Sequence, residues 1–185
     1  MRNLLSATGL ALVLVSAPVA AESLNPRPAA PFKGYKAYEL KPLEVPADLQ
    51  NSETGLAATA KIQEHLTAIL APVLAGWNQS VTAEGNGQTL VFEPRVVSLR
   101  FIGGAKRFWA GALAGDSRVI IVVRIVEQPG DRVLGEPQFY QQANAMAGAW
   151  SFGAHDNTML SRVVDLATNY CKANFDNAVG GPSGL

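Results

Sequence analysis

The run from Ser117 to Glu127 is the stretch the rest of the chain must accommodate. Read with a period of two, one face carries Val119, Ile121, Val123 and Ile125, all β-branched. The other carries Ile120, Val122 and Val126, with Arg118 and Arg124 toward its ends. A strand apolar on both faces is a central one, covered on each side. Gly111 and Gly115 precede it, and Gln128-Pro-Gly-Asp131 follows as a turn. Burying its aliphatic side chains stabilises the fold by roughly 1.5–3 kcal/mol each, so this strand anchors a core. That constrains folding and leaves the chemistry open.

Residues 1–21 have a different character. Arg2 supplies a positive start, Leu10 to Val15 an apolar centre, and Val19-Ala-Ala21 a small-residue cleavage site. The pattern predicts a secretory signal peptide cut near Ala21, and hence a periplasmic or secreted product. The apolar centre is short and interrupted by Pro18, so a transmembrane segment is not expected in the mature chain. The 185 residues carry 15 basic and 15 acidic side chains with no long run of either sign, which excludes a nucleic-acid footprint. Cys171 is the one cysteine, so no intrachain disulfide forms and no cysteine is left to accept lipid at a new N-terminus.

Residues 22–34, with Pro26, Pro28 and Pro31, read as an extended spacer. A single globular domain is expected over 35–175, followed by a disordered tail over 176–185 that contains Gly180-Gly-Pro-Ser-Gly184. Tyr35 to Leu40 alternates weakly and predicts a first strand, stopped by Pro42 and Pro46. From Thr54 to Trp77 the period becomes helical: Ile62, Leu66, Ile69, Leu70, Val73 and Leu74 make the stripe, and Ser52 or Thr54 the cap. Pro72 is expected to kink this helix or stop it at Ala71. Strand signals follow at Thr89 to Glu93 and Arg95 to Ile102, split by Pro94, which points to an edge position or a bulge. Phe139 to Ala147 alternates as another strand. Trp150 to Asp156 is a connector, with Asp156 or Asn157 capping a last helix whose stripe is Leu160, Val163, Val164, Ala167, Tyr170 and Cys171. The order predicts an α+β fold, or a small α/β layer: one mixed sheet with two main helices packed on one face.

Chemistry is thinly marked. The two histidines lie far apart, with no HExxH or CxxC, so neither a metal nor a cofactor is expected. His65 borders the first helical stripe as a boundary residue, and Cys171 on its stripe reads as a buried, inert thiol. No G-x-S-x-G surrounds any serine, and no catalytic residue is assigned. The glycine-rich segment Gly103 to Gly115 matches neither phosphate-loop spacing. It either packs Phe108 and Trp109 inward or displays them; displayed, they form with Trp150 and Phe152 the candidate partner surface. Such aromatics suit a protein partner or a peripheral membrane contact. A second candidate is a small-molecule or hydrolase pocket near Asp116, Tyr140, His155 and Asp156, in which Asp156 orients His155. A third is an oligomer formed by strand pairing at an exposed sheet edge.

Between Phe101 and Phe175 the chain resembles a family of short bacterial envelope lipoproteins of unknown function. The likeness is carried by Ala112-Leu-Ala-Gly115, Glu136-Pro-Gln-Phe-Tyr140, the run from Ala145 to Gly153, Asp156-Asn157, Met159-Leu160 and Tyr170. More distantly, the layout is similar to the domain shared by the curli-secretion lipoprotein and the TolB amino-terminal domain. These resemblances imply an envelope binding or assembly module whose partner is another envelope protein or a second copy of itself. The chain departs from the lipoproteins in lacking their N-terminal cysteine.

Overall fold

The structure, a computed structural model, describes residues 24–81, 86–100, 117–143 and 154–185, with side chains from 158 onward in the last segment. The predicted central strand is β4, Ser117–Gln128. It pairs antiparallel with β3 (Thr89–Arg100) on one side, and with β5 (Arg132–Gly135) and β6 (Gln138–Ala143) on the other. A short β2 (Ala37–Leu40) runs parallel to β3 and completes a mixed five-stranded sheet. A second sheet joins β1 (Leu24–Asn25) to β7 (Gly181–Pro182).

The helices follow their stripes. After a short α1 (Ala47–Gln50), helix α2 (Glu53–His65) starts at Ser52, whose hydroxyl accepts the Gly55 N–H at 3.2 Å. It passes through a π-helical stretch, Leu66–Leu70, into α3 (Ala71–Gln79). The expected stop at Ala71 does not occur. Ala71 N–H bonds the Leu66 carbonyl five residues back, and Pro72 then falls in the first turn of α3, where its missing N–H costs little. The last helix, α4, is Ala154–Ala173, so it begins ahead of the expected Asp156 or Asn157 cap and absorbs the end of the connector.

Both helices bury their stripes against one face of the sheet. Ile62, Leu66, Leu70 and Leu74 from α2–α3 meet Leu160, Val163, Val164, Ala167, Tyr170 and Cys171 from α4 over Val119, Ile121, Val123 and Ile125. The fold is therefore α+β. The opposite face of β4 also buries Val122 and Val126, outside this helix-backed cluster. There Arg124 pairs with Glu93 of β3 at 2.7 Å and with Glu136, in the β5–β6 connection, at 3.3 Å.

Pro94 neither splits β3 nor places it at an edge, because β3 lies between β2 and β4. Beyond β2 the chain contacts β3 through Lys41 N–H to Phe92 O, Glu44 N–H to Pro94 O and Val96 N–H to Glu44 O. That pattern uses no donor from residue 94. The expected bulge does exist nearby, as a register shift between Val96 and Ser98.

Two expectations about the chain ends are corrected. The Pro-rich stretch is extended, yet from Leu24 onward it belongs to the fold: Phe32 is fully buried, and Phe32 and Lys33 N–H bond the carbonyls of Asn174 and Phe175 at 2.9 Å each. Residues 176–185 are not a structureless tail. The buried Asn174 amide donates to Gly180 O at 3.0 Å and accepts from Val179 and Gly180 N–H at 2.8 Å each. Gly180 has φ +81°, and an added Cβ would lie 2.6 Å from Asn25 O, so only glycine fits where residues 176–185 touch the extended strap formed by residues 24–34.

Candidate functional site

Besides the half-exposed Arg124–Glu93–Glu136 group, a cluster of ionisable side chains converges on the buried Glu127. Glu127 continues the inward-facing row of β4, past the last isoleucine, and is only 3% exposed. The turn after β4 brings Arg132, at the start of β5, back over it. Arg132 Nε donates to Glu127 Oε2, and Nη2 to Oε1 at 2.6 Å. From the residues ahead of β2, the Tyr35 hydroxyl donates to the same Oε1. Asp131, at φ 51°, and Gly130, at φ 112°, supply the left-handed backbone that reverses the chain over this short distance.

The electrostatics follow from the contacts. The Arg132 hydrogen bonds hold the Glu127 carboxyl below the usual carboxylate range, against the opposing effect of burial. Burial and the Glu127 bond push the Tyr35 phenol up. The carboxylate is thus held in its ionised form by three donated bonds. The arrangement fastens the residue before β2 and the start of β5 to the central strand. No sequence motif marks these three residues; the one available signal is a lone acid ending an otherwise apolar row, followed by a tight turn and a base.

Around this point the core is aromatic. Tyr35 packs near Tyr38 (ring centroids 6.3 Å apart), Tyr38 edge-on to Trp77 (5.2 Å), and Trp77 stacks on Phe175 (4.4 Å). Trp77 and Phe175 are half-buried at the ends of the two main helical stretches.

Phe108, Trp109, Trp150, Phe152 and Asp116 lie outside the described residues, as do the side chains of His155 and Asp156. Tyr140 is described: it sits on β6 opposite Ile120, and its hydroxyl donates to Gln142 Oε1. His65 is half-buried at the end of α2, as a boundary residue would be. Cys171 is buried, and burial pushes its thiol up to about 12, as expected of an inert cysteine. Among the described residues no group of three or more His, Cys, Asp or Glu side chains is arranged to hold a metal, and no helix is long and apolar enough to cross a membrane.

No family model and no curated protein matches the chain. Among solved structures it is similar to the PelC dodecamer from Paraburkholderia phytofirmans, at 12% identity and a TM-score of 0.40 over 77% of this chain and 92% of that one. It is also similar to a hypothetical protein from Chlamydia trachomatis (10% identity, TM-score 0.41, 76% and 99% covered). A third is a Xanthomonas campestris protein labelled DUF330 (7% identity, TM-score 0.36, 84% and 88% covered). Likeness at these levels assigns neither a family nor an activity to this chain.

Proposed function

We propose that this chain is an exported envelope module that works by binding another envelope protein or a second copy of itself, and not by catalysis. The reading takes residues 1–21 as an export signal and Phe108, Trp109, Trp150 and Phe152 as the contact surface. One observation supports it above the others. Arg100 at the end of β3 lies opposite Arg118, and Ser117 at the start of β4 lies opposite Ala143 at the end of β6. These described strand ends, from which the sequence leads on toward Phe108 and Trp109 and toward Trp150 and Phe152, are neighbours at one end of the sheet, in keeping with a shared contact surface. The bonding of Glu127 is in keeping with this, since the cluster around it fastens parts of the fold to one another.

The test is site-specific photocrosslinking in living cells, with the reactive side chain placed at residue 109, at residue 150, and at the exposed Lys61 of α2 as control. Adducts to the same protein, or to a second copy, should form from 109 and 150 and not from 61. Equal yields at all three positions, or none, would remove the proposal.

A further inference from the structure

Two edges of the five-stranded sheet are closed by the same device. On β2, Tyr38 N–H donates to Oδ1 of Asn78 at 2.8 Å, and Asn78 Nδ2 donates back to Tyr38 O at 2.9 Å. On β6, Gln138 N–H donates to Oδ1 of Asn25 at 2.8 Å, and Asn25 Nδ2 returns to Gln138 O at 2.7 Å. A primary amide carries one acceptor and one donor spaced like those of a peptide group. Each asparagine thus fills the N–H and C=O pair that one residue of an added strand would use. The two plugs come from unrelated parts of the chain, α3 and β1, and reach across 40 and 113 residues of sequence.

We infer that Asn78 and Asn25 act as edge plugs which exclude strand addition, so that self-association of this chain uses a surface other than its sheet edges. An unpaired edge is a ready template for another chain. An intramolecular amide holds the same positions at high effective concentration and without a second molecule. The plugs differ in access: Asn25, in β1, is 7% exposed, whereas Asn78 is exposed at the end of α3. The β2 edge is therefore the one that a single substitution opens without disturbing the core.

Asn78→Ala provides the test, with the adjacent exposed Gln79→Ala as control and sedimentation velocity and Tyr38 amide exchange as readouts. In Asn78→Ala at low protein concentration, the Tyr38 amide should exchange roughly tenfold faster, in line with the loss of one net hydrogen bond. Raising the concentration should restore its protection and shift the mass distribution upward from that of the parent. Gln79→Ala should match the parent in both. Asn78→Asp keeps the acceptor and loses the donor, so it should associate less than the alanine variant; it also serves as the deciding measurement if Asn78→Ala melts. Unchanged mass, with Tyr38 exchange independent of concentration, in whichever variant is folded, would overturn the inference.

Discussion

The two flanks of the sheet reach the same end by different means. The β2 flank is held from the helical layer: Gln63 of α2 accepts from Leu43 N–H at 2.7 Å, and Asn78 of α3 takes both groups of Tyr38. The β5–β6 flank is held by the stretch that precedes β2 and by the C-terminal residues. Ala29 N–H bonds Leu134 O of β5 at 2.7 Å, Asn25 takes Gln138, and Tyr140 N–H bonds Ser183 O at 2.8 Å. A flank fastened by helix side chains closes when the helix docks. A flank fastened by two stretches remote in sequence closes only when they meet, which they do at β1–β7 and where Phe32 N–H bonds the Asn174 carbonyl.

The largest expected effect breaks the second arrangement. Phe32 is fully buried between Phe92, edge-on at 5.8 Å, and Tyr170, at 6.4 Å, and it anchors the strap. Phe32→Ala should cost about 4 kcal/mol in a denaturant titration. Amide exchange at Tyr140 should accelerate more than at Tyr38, because the strap loosens before the helical layer does. Equal acceleration at the two tyrosines would show that the flanks open as one unit.

A middle-sized effect concerns the point where the flanks are joined. Tyr35 precedes β2, Arg132 opens β5, and both bond Glu127. Glu127→Gln should destabilise by about 2 kcal/mol near neutral pH, toward the low end for charged hydrogen bonds because Arg132 is largely exposed and screened. Arg132 depresses the folded-state pKa of Glu127, so its contribution is present above the unfolded carboxylate value of about 4.3 and is lost as pH falls through the lower folded value. The gap between parent and variant should therefore close on acidification. A gap of constant size from neutral pH down to acid would assign the effect to packing and not to charge.

This contrast also explains what was legible beforehand. The central strand, both helical stripes and the α+β class follow from periodicity, because Val119 to Ile125 and Leu160 to Cys171 face one core over many residues. The chain ends were misread because their order does not come from apolar pattern. Asn25 and Asn174 act through amide geometry at long range, and Gly180 through a close approach; in sequence such residues look like ordinary turn and linker composition. Glu127, Tyr35 and Arg132 were missed for a related reason, since 92 residues separate Tyr35 from Glu127. The α4 boundary was placed too late because Asp156 and Asn157 are residue types that cap helices wherever they stand.

The smallest effect sharpens the comparison from the helical side. Gln63 Oε1 takes the Leu43 N–H, while its Nε2 reaches Thr67 Oγ1 at 3.3 Å along the helix. Leu43 is half-buried, so water can partly replace the lost acceptor, and Gln63→Ala should cost about 1 kcal/mol, near the low end for a vacated donor. Gln63→Glu keeps an oxygen in the same place and should leave Leu43 amide protection close to the parent's. The alanine change should also leave Tyr140 exchange untouched, since no described contact of Gln63 reaches the β5–β6 flank. If Tyr140 accelerates together with Leu43, closure of the two flanks is coupled through the sheet, and the helix-held edge is no more independent than the β5–β6 edge.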